Sequence, residues 1–215
     1  MTLKLIIFDM DETLYPRGSG LLQEIGHRIQ LWVQRRFDLT WEESSTMRRD
    51  YFIRYGTTLG GLIAEHNTDI HDYLFFVHDV SVGDYLAPDP ALTTMLDAIP
   101  LRKAVYTNAT REFARRVLRV LGVTDRFEQV ISVEDVDLRS KVYREAYECV
   151  LARLGVRGNE CIMVEDTLHN LRVAKELGLT TVLVDAEPDE NVDFVVGSVL
   201  QVGELVNSLL RSHVQ

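Results

Sequence analysis

Leu5-Ile6-Ile7-Phe8-Asp9-Met10-Asp11-Glu12-Thr13-Leu14 is the stretch whose reading decides the fold. Four apolar residues in a row, bounded by Lys4 and Asp9, predict a short strand covered on both faces. Asp9 and Asp11 then fall at the strand's exit, one residue apart. Two carboxylates at that spacing repel each other, and the apolar strand behind them strips away water. A fold tolerates such a pair where a cation or a reaction uses it, one carboxyl ionised and the other protonated. The opening motif therefore points to an enzyme acting on an anion with a metal.

Working outward, short apolar runs recur at residues 103–107, 129–133, 161–164 and 180–184, like the first at 3–8. Helical stretches separate them. Phe113, Val117, Leu118 and Leu121 share a face before Gly122; Val142, Ala146, Val150 and Leu154 do so before Gly155; Leu171, Ala174 and Leu177 precede Gly178. Glycine after each stretch suits the left-handed cap that ends a helix. Strands alternating with helices predict an α/β fold with a doubly wound parallel sheet. One connection is too long for a simple crossover. Residues 17–86 carry helical patterns at 21–37, 41–54 and 69–77, with Arg17-Gly18-Ser19-Gly20 and Gly83-Asp84 as joints. They are expected to form an inserted helical cap domain over a core made of residues 1–16 and 87–215. The insertion leaves from the carboxyl edge of the sheet, where open α/β sheets bind ligands.

Three further groups are predicted at that edge. Val105-Tyr106-Thr107-Asn108 ends one strand with a hydroxyl and an amide, Met163-Val164-Glu165-Asp166 ends another with two acids, and Lys141 opens the intervening helix. Each has an ordinary alternative. Thr107 and Asn108 suit a turn or helix N-cap, as do Asp166 and Thr167. Lys141 could simply be solvated, although a cation in a helix's first turn opposes the macrodipole and asks for a negative partner. In order, and all at strand ends, the groups make one site. Asp9, Asp11, Glu165 and Asp166 form a hard oxygen set suited to Mg²⁺ rather than zinc. Lys141 and the metal would offset charge as a carboxylate attacks phosphate, with Thr107 donating to a phosphoryl oxygen.

Composition narrows the remaining classes. The chain has 215 residues, is 46% hydrophobic and carries a net charge of −10. That supports a substantial core and disfavours non-specific binding to a nucleic-acid polymer. The short apolar start, broken by Lys4, is expected to be neither a signal peptide nor a membrane span. Cys149 and Cys161 suggest no disulfide framework or zinc site, so a reducing cytoplasm is expected. The expected partner is a small phosphorylated metabolite, with the chain a monomer or homodimer.

Through Asp9-Met10-Asp11-Glu12-Thr13, Thr107-Asn108, Lys141 and Glu165-Asp166, the chain resembles the haloacid dehalogenase-like hydrolases over nearly its whole length. The resemblance implies a Rossmann-like core of strand order 5-4-1-2-3 with a helical cap after the first strand. It implies Asp9 as the nucleophile that forms an aspartyl-phosphate, and Asp11 as the acid for the leaving alcohol and then the base for water. The Asp11 carbonyl would also meet Mg²⁺, Thr107, Asn108 and Lys141 would bind the phosphate group, and Glu165 and Asp166 would hold or orient the metal. Asp11-Glu12-Thr13-Leu14-Tyr15-Pro16, Tyr51-Phe52-Ile53-Arg54-Tyr55-Gly56, Gly60-Gly61-Leu62 and Tyr106-Thr107-Asn108-Ala109 are similar to the pyrimidine 5′-nucleotidase branch, which hydrolyses UMP- and CMP-like nucleotides. Where that family often has Lys-Pro, this chain has Lys141-Val142. A phosphosugar mutase, a phosphoglycolate or sugar phosphatase, a dehalogenase and a non-catalytic module on the same scaffold remain as alternatives. Tyr55 is expected to pack within the cap and His27, His66, His71 and His78 to face water, none of them nor Arg17 touching substrate, and Arg35-Arg36 and Arg48-Arg49 are expected to face water.

Overall fold

The computed structural model describes residues 2–212. The described strands form one all-parallel six-stranded sheet in the order β3-β2-β1-β4-β5-β6. They are β1 (Leu5–Phe8), β2 (Arg102–Tyr106), β3 (Gln129–Ile131), β4 (Cys161–Glu165), β5 (Thr180–Val184) and β6 (Phe194–Val196). The five predicted strands stand in the implied order. The sixth was not anticipated: it has three residues, all half-buried, at a sheet edge, too short to give a periodic signal.

The strands' two-residue period sorts the core into two layers. Ile6, Phe8, Val105, Ile162, Val164 and Val182 face one side, where α5 (Pro90–Asp97), α6 (Arg111–Leu121) and α9 (Val202–Ser212) pack. Leu5, Ile7, Ala104, Tyr106, Cys161 and Met163 face the other, against α7 (Arg144–Leu154) and α8 (Leu168–Glu176). Each fully buried Leu, Ile or Phe of this kind contributes roughly 1.5–3 kcal/mol. Gly122, Gly155 and Gly178 all adopt positive φ at the ends of α6, α7 and α8. The register pairs Phe8 with both Val105 and Val164, so residues that follow these three strands emerge side by side.

Between β1 and α5 lie α1 (Leu21–Phe37), α2 (Trp41–Tyr55), α3 (Thr58–Glu65) and α4 (Ile70–His78). The sequence pattern had missed α3. Its Gly60-Gly61 pair weakens the helical signal, yet packing requires it: a Cβ on Gly61 would lie 2.1 Å from the Tyr51 ring. The four helices close on a cluster of Trp32, Val33, Tyr51, Leu59, Leu62, Tyr73, Leu74 and Val77, joined by Val133 from the core. The first half of α1 instead places Leu21 and Ile25 in the sheet's own core, so one helix belongs to both regions.

Three local expectations are corrected. Lys141 does not open a helix: α7 begins at Arg144, and Lys141 sits in the preceding turn. His78 is buried rather than solvent-facing, with its ring 4.8 Å from that of Phe113. Arg48 is half-buried and reaches Gln30 at 3.1 Å instead of facing water. No helix among the described residues is long and apolar enough to cross a membrane.

Candidate active site

The predicted residues converge at the carboxyl edge of the sheet. Asp9 leaves β1 with its N–H donating to the Val164 carbonyl at 2.9 Å, which ties it to the strand that ends in Glu165. Thr107 leaves β2, its N–H held by the Ile131 carbonyl at 3.0 Å. The Lys141 ammonium donates to Asp9 Oδ1 and, at 2.8 Å, to Glu165 Oε2. Asp9, Thr107, Lys141 and Glu165 are buried, 5%, 0%, 1% and 1% exposed, so a lysine is sealed together with two acids.

Thr107 and Asn108 do more than make a turn. The N-cap of α6 is Thr110. Thr107 Oγ1 accepts from the Ala109 N–H at 3.0 Å and donates to Asp11 Oδ2 at 3.5 Å. Asn108 Oδ1 accepts from the Lys141 backbone N–H at 3.2 Å, anchoring the turn that carries the lysine. Asp166 is not a cap either: the N-cap of α8 is Thr167, whose hydroxyl donates to Asp166 Oδ1 at 3.2 Å.

Three neighbours went unrecognised in the sequence. The Tyr15 hydroxyl donates to Asp11 Oδ1 at 2.6 Å, and the Asn170 amide donates to Glu165 Oε1 at 2.8 Å. Arg17 donates to the Asp166 side chain at 2.7 Å and to its carbonyl at 3.1 Å. Tyr15 and Asn170 lie four and five residues beyond their partners, a spacing that a search for hydrogen-bond donors near the acids would have caught. Arg17 lies 149 residues from Asp166, and no local pattern signals that contact.

The charges do not balance. Burial pushes the Asp9 carboxyl above the ordinary range, with Lys141 opposing the rise. Burial and then the Asp9 charge push Asp11 up to about 7 and Glu165 up to about 8. Burial would lower the Lys141 ammonium, but Asp9 and Glu165 together hold it above its usual value. An excess of buried negative charge asks for a cation. Asp9, Glu165 and Asp166 each offer an oxygen, and these oxygens lie within 4.8 Å of one another. A hard divalent ion such as Mg²⁺ fits this all-oxygen set. The Asp11 side chain is not part of the group; it turns to Tyr15 and Thr107.

Comparison with known proteins agrees with this geometry. The model of the haloacid dehalogenase-like hydrolases matches residues 3–178. The chain belongs to that family. Its α/β fold is thereby accounted for. The glyceraldehyde 3-phosphate phosphatase of Methanocaldococcus jannaschii is 26% identical, over 97% of this chain and 99% of that protein. The (S)-2-haloacid dehalogenase of Xanthobacter autotrophicus is also 26% identical, over 83% of this chain and 68% of the other. Among solved structures, a HAD phosphatase from Thermococcus onnurineus superposes with a TM-score of 0.65 at 18% identity, covering 95% of this chain and 98% of that one.

Proposed function

We propose that this hydrolase is a Mg²⁺-dependent phosphoric monoester hydrolase that works through an aspartyl-phosphate on Asp9. The observation that carries the reading is the pair of differently set acids: Asp9 ion-paired to Lys141, and Asp11 with its carboxyl pushed up to about 7. Lys141 opposes the burial that raises Asp9 and so favours its attacking anion; Asp11 holds or releases a proton near neutrality.

Asp9 attacks phosphorus, the bond to the ester oxygen breaks, and Asp11 hands its proton to the departing alkoxide. Asp11, now ionised, takes a proton from water as the water attacks phosphorus; the bond to Asp9 breaks, phosphate leaves, and both acids return to their first state. Thr107 donates to a phosphoryl oxygen, Lys141 offsets its charge, and Asn108 keeps Lys141 in place. Asp9, Glu165 and Asp166 would hold Mg²⁺, with the Asp11 carbonyl as a further oxygen. When bound, the ion supplies positive charge against the transferring phosphoryl group. Tyr15 orients Asp11 through its hydrogen bond.

The substrate is a small phosphorylated metabolite, and a nucleoside 5′-monophosphate of the UMP or CMP kind is the reading the α2–α3 sequence supports. Residues 17–86 act as the cap that selects it, in a cytoplasmic enzyme. A triose phosphate or phosphoglycolate is the second reading, favoured by the whole-length likeness to the archaeal glyceraldehyde 3-phosphate phosphatase. Dehalogenation is disfavoured because attack on carbon has no use for a second acid poised like Asp11. Phosphate release measured over nucleotides, sugar phosphates and phosphoglycolate with Mg²⁺ tests the proposal. UMP and CMP are expected to lead; a lead by phosphoglycolate or triose phosphates replaces the nucleotide assignment, release untouched by EDTA removes the Mg²⁺ dependence, and no release from any ester removes the phosphatase reading.

A further inference from the structure

The turn joining α2 and α3 touches the core on either side of Lys141. The Ser140 hydroxyl donates to the Tyr55 carbonyl at 2.9 Å. Gly56, at φ +76°, lies so close to the next residue that a Cβ built on it would meet the Val142 methyls at 2.5 and 2.6 Å and Ser140 Oγ at 2.8 Å. Real Cβ atoms do not approach that near, so glycine is required both by its backbone and by its neighbour. The turn itself is braced. Thr57 caps α3 through the Gly60 N–H at 3.0 Å, and a Cβ on Gly60 would sit 2.9 Å from the Tyr55 carbonyl. Ser140 is 1% exposed and Lys141 equally buried.

The residues flanking Lys141 are thus gripped by the helical insertion, while its backbone N–H is held by Asn108 from the core. The lysine lies outside any helix, and its turn has little regular structure of its own to fix it.

We propose that the α2–α3 turn is a positioning element for Lys141: Gly56 and the Tyr55 carbonyl seat Ser140 and Val142, and only with that seat filled does the ammonium reach Asp9 and Glu165. The inference builds on the phosphatase reading and extends it to control of the site by the insertion. Lifting the turn withdraws the charge that faces the phosphoryl group; lowering it restores that charge. Val142 is a fitted partner of Gly56 in this arrangement. Gly56, Ser140 and Val142 touch no reacting atom and act through Lys141.

Reductive methylation of lysines, read by mass spectrometry, tests the seat without relying on turnover. In the parent protein Lys141 is protected while Lys4 and Lys175 are labelled. Gly56→Ala is expected to raise Lys141 labelling about tenfold at unchanged labelling of the buried-stem Lys103, and to lower kcat for p-nitrophenyl phosphate about tenfold. Adding Val142→Ala makes room for the new methyl and is expected to recover part of both losses. Ser140→Ala, which introduces no clash, is expected to raise Lys141 labelling and lower kcat about threefold; it decides the matter where Gly56→Ala does not fold. Protection of Lys141 unchanged in Ser140→Ala, or a rise in Gly56→Ala that Val142→Ala leaves untouched, overturns the proposal. A parent that hydrolyses no phosphate ester but shows the predicted labelling would remove the phosphatase reading and leave the seat standing.

Discussion

The sheet edge and the helical insertion are built on opposite plans. At the edge, most functional side chains follow directly from the strand that carries them: Asp9 after Phe8, Thr107 after Tyr106, Glu165 at the end of β4. In the insertion, the groups that matter meet across elements. The Trp32 indole donates to Asp72 at 2.9 Å, the Tyr51 hydroxyl meets His66 at 2.6 Å, and the Tyr55 carbonyl meets Ser140, 85 residues away. The edge is positioned by backbone register, the insertion by side-chain packing. Chemistry that must be reproducible to fractions of an ångström sits on the rigid part. In the proposed reading, recognition and access fall to the part with looser local rules.

If that contrast holds, near-isosteric changes to the reacting acids at the edge destroy activity and spare the fold. Asp9→Asn is the sharpest case. It keeps volume and removes the attacking oxygen, so turnover of a phosphate ester is expected to fall by about 10⁴-fold or more, with the thermal midpoint close to the parent's. Residual activity near the parent level would break the contrast at its strongest point. Asp11→Asn should cost about 10²–10⁴-fold, read as kcat under saturating substrate; full turnover would take Asp11 out of proton transfer.

This difference also explains what could be read from the sequence. Five strands and Asp9, Asp11, Thr107, Glu165 and Asp166 were legible because each of these residues lies at a strand's end or just beyond it; the strand order came with the family resemblance. Lys141 was found but its setting was not: a helical pattern through Val142 and Ala146 suggested a helix start, whereas α7 begins only at Arg144. α3 was hidden by Gly60 and Gly61, whose lack of side chain is a tertiary demand from Tyr51 and Tyr55. β6 was too short, and Arg17 finds Asp166 only once the chain is folded. His78 was read as solvent-facing because a histidine at a helix end gives no sign of the Phe113 ring that covers it.

Stability measurements sharpen the comparison from the other side. Lys141→Ala leaves Asp9 and Glu165 buried without their cation, and should cost about 3–5 kcal/mol in urea unfolding without Mg²⁺. The loss should shrink when Mg²⁺ is added; an unchanged loss would argue against a metal on these acids. Leu62→Ala, fully buried in the insertion, should cost about 2–5 kcal/mol while the edge keeps its geometry.

The smallest effect is pH-dependent. Burial holds His78 down from 6.5 to about 4, with its Nδ1 3.0 Å from the Leu74 carbonyl. The Arg116 charge lowers it further, and Glu134 opposes. The unfolded chain therefore binds the extra proton first. The neutral, buried ring's contribution is fully present above about pH 6.5 and is lost as pH falls toward 4, a change of roughly 3 kcal/mol at most. Asp11 works in the opposite sense: its folded carboxyl binds a proton up to about pH 7, so its term favours the fold as pH falls. Unfolding of His78→Gln beside the parent at pH 7 and pH 4.5 isolates the histidine. The variant should lose less stability on acidification, and parallel losses would contradict the buried neutral ring.

The central claim is that Asp9 attacks phosphorus. Acid-quenching the Asp11→Asn enzyme during turnover with Mg²⁺ and a phosphate ester, then mapping phosphate by mass spectrometry, tests it most directly. A phosphoryl group on Asp9 is the expected result. Turnover by that enzyme with phosphate on another residue, or with no phosphoenzyme and with solvent oxygen entering phosphate by direct attack in a single step, would contradict it.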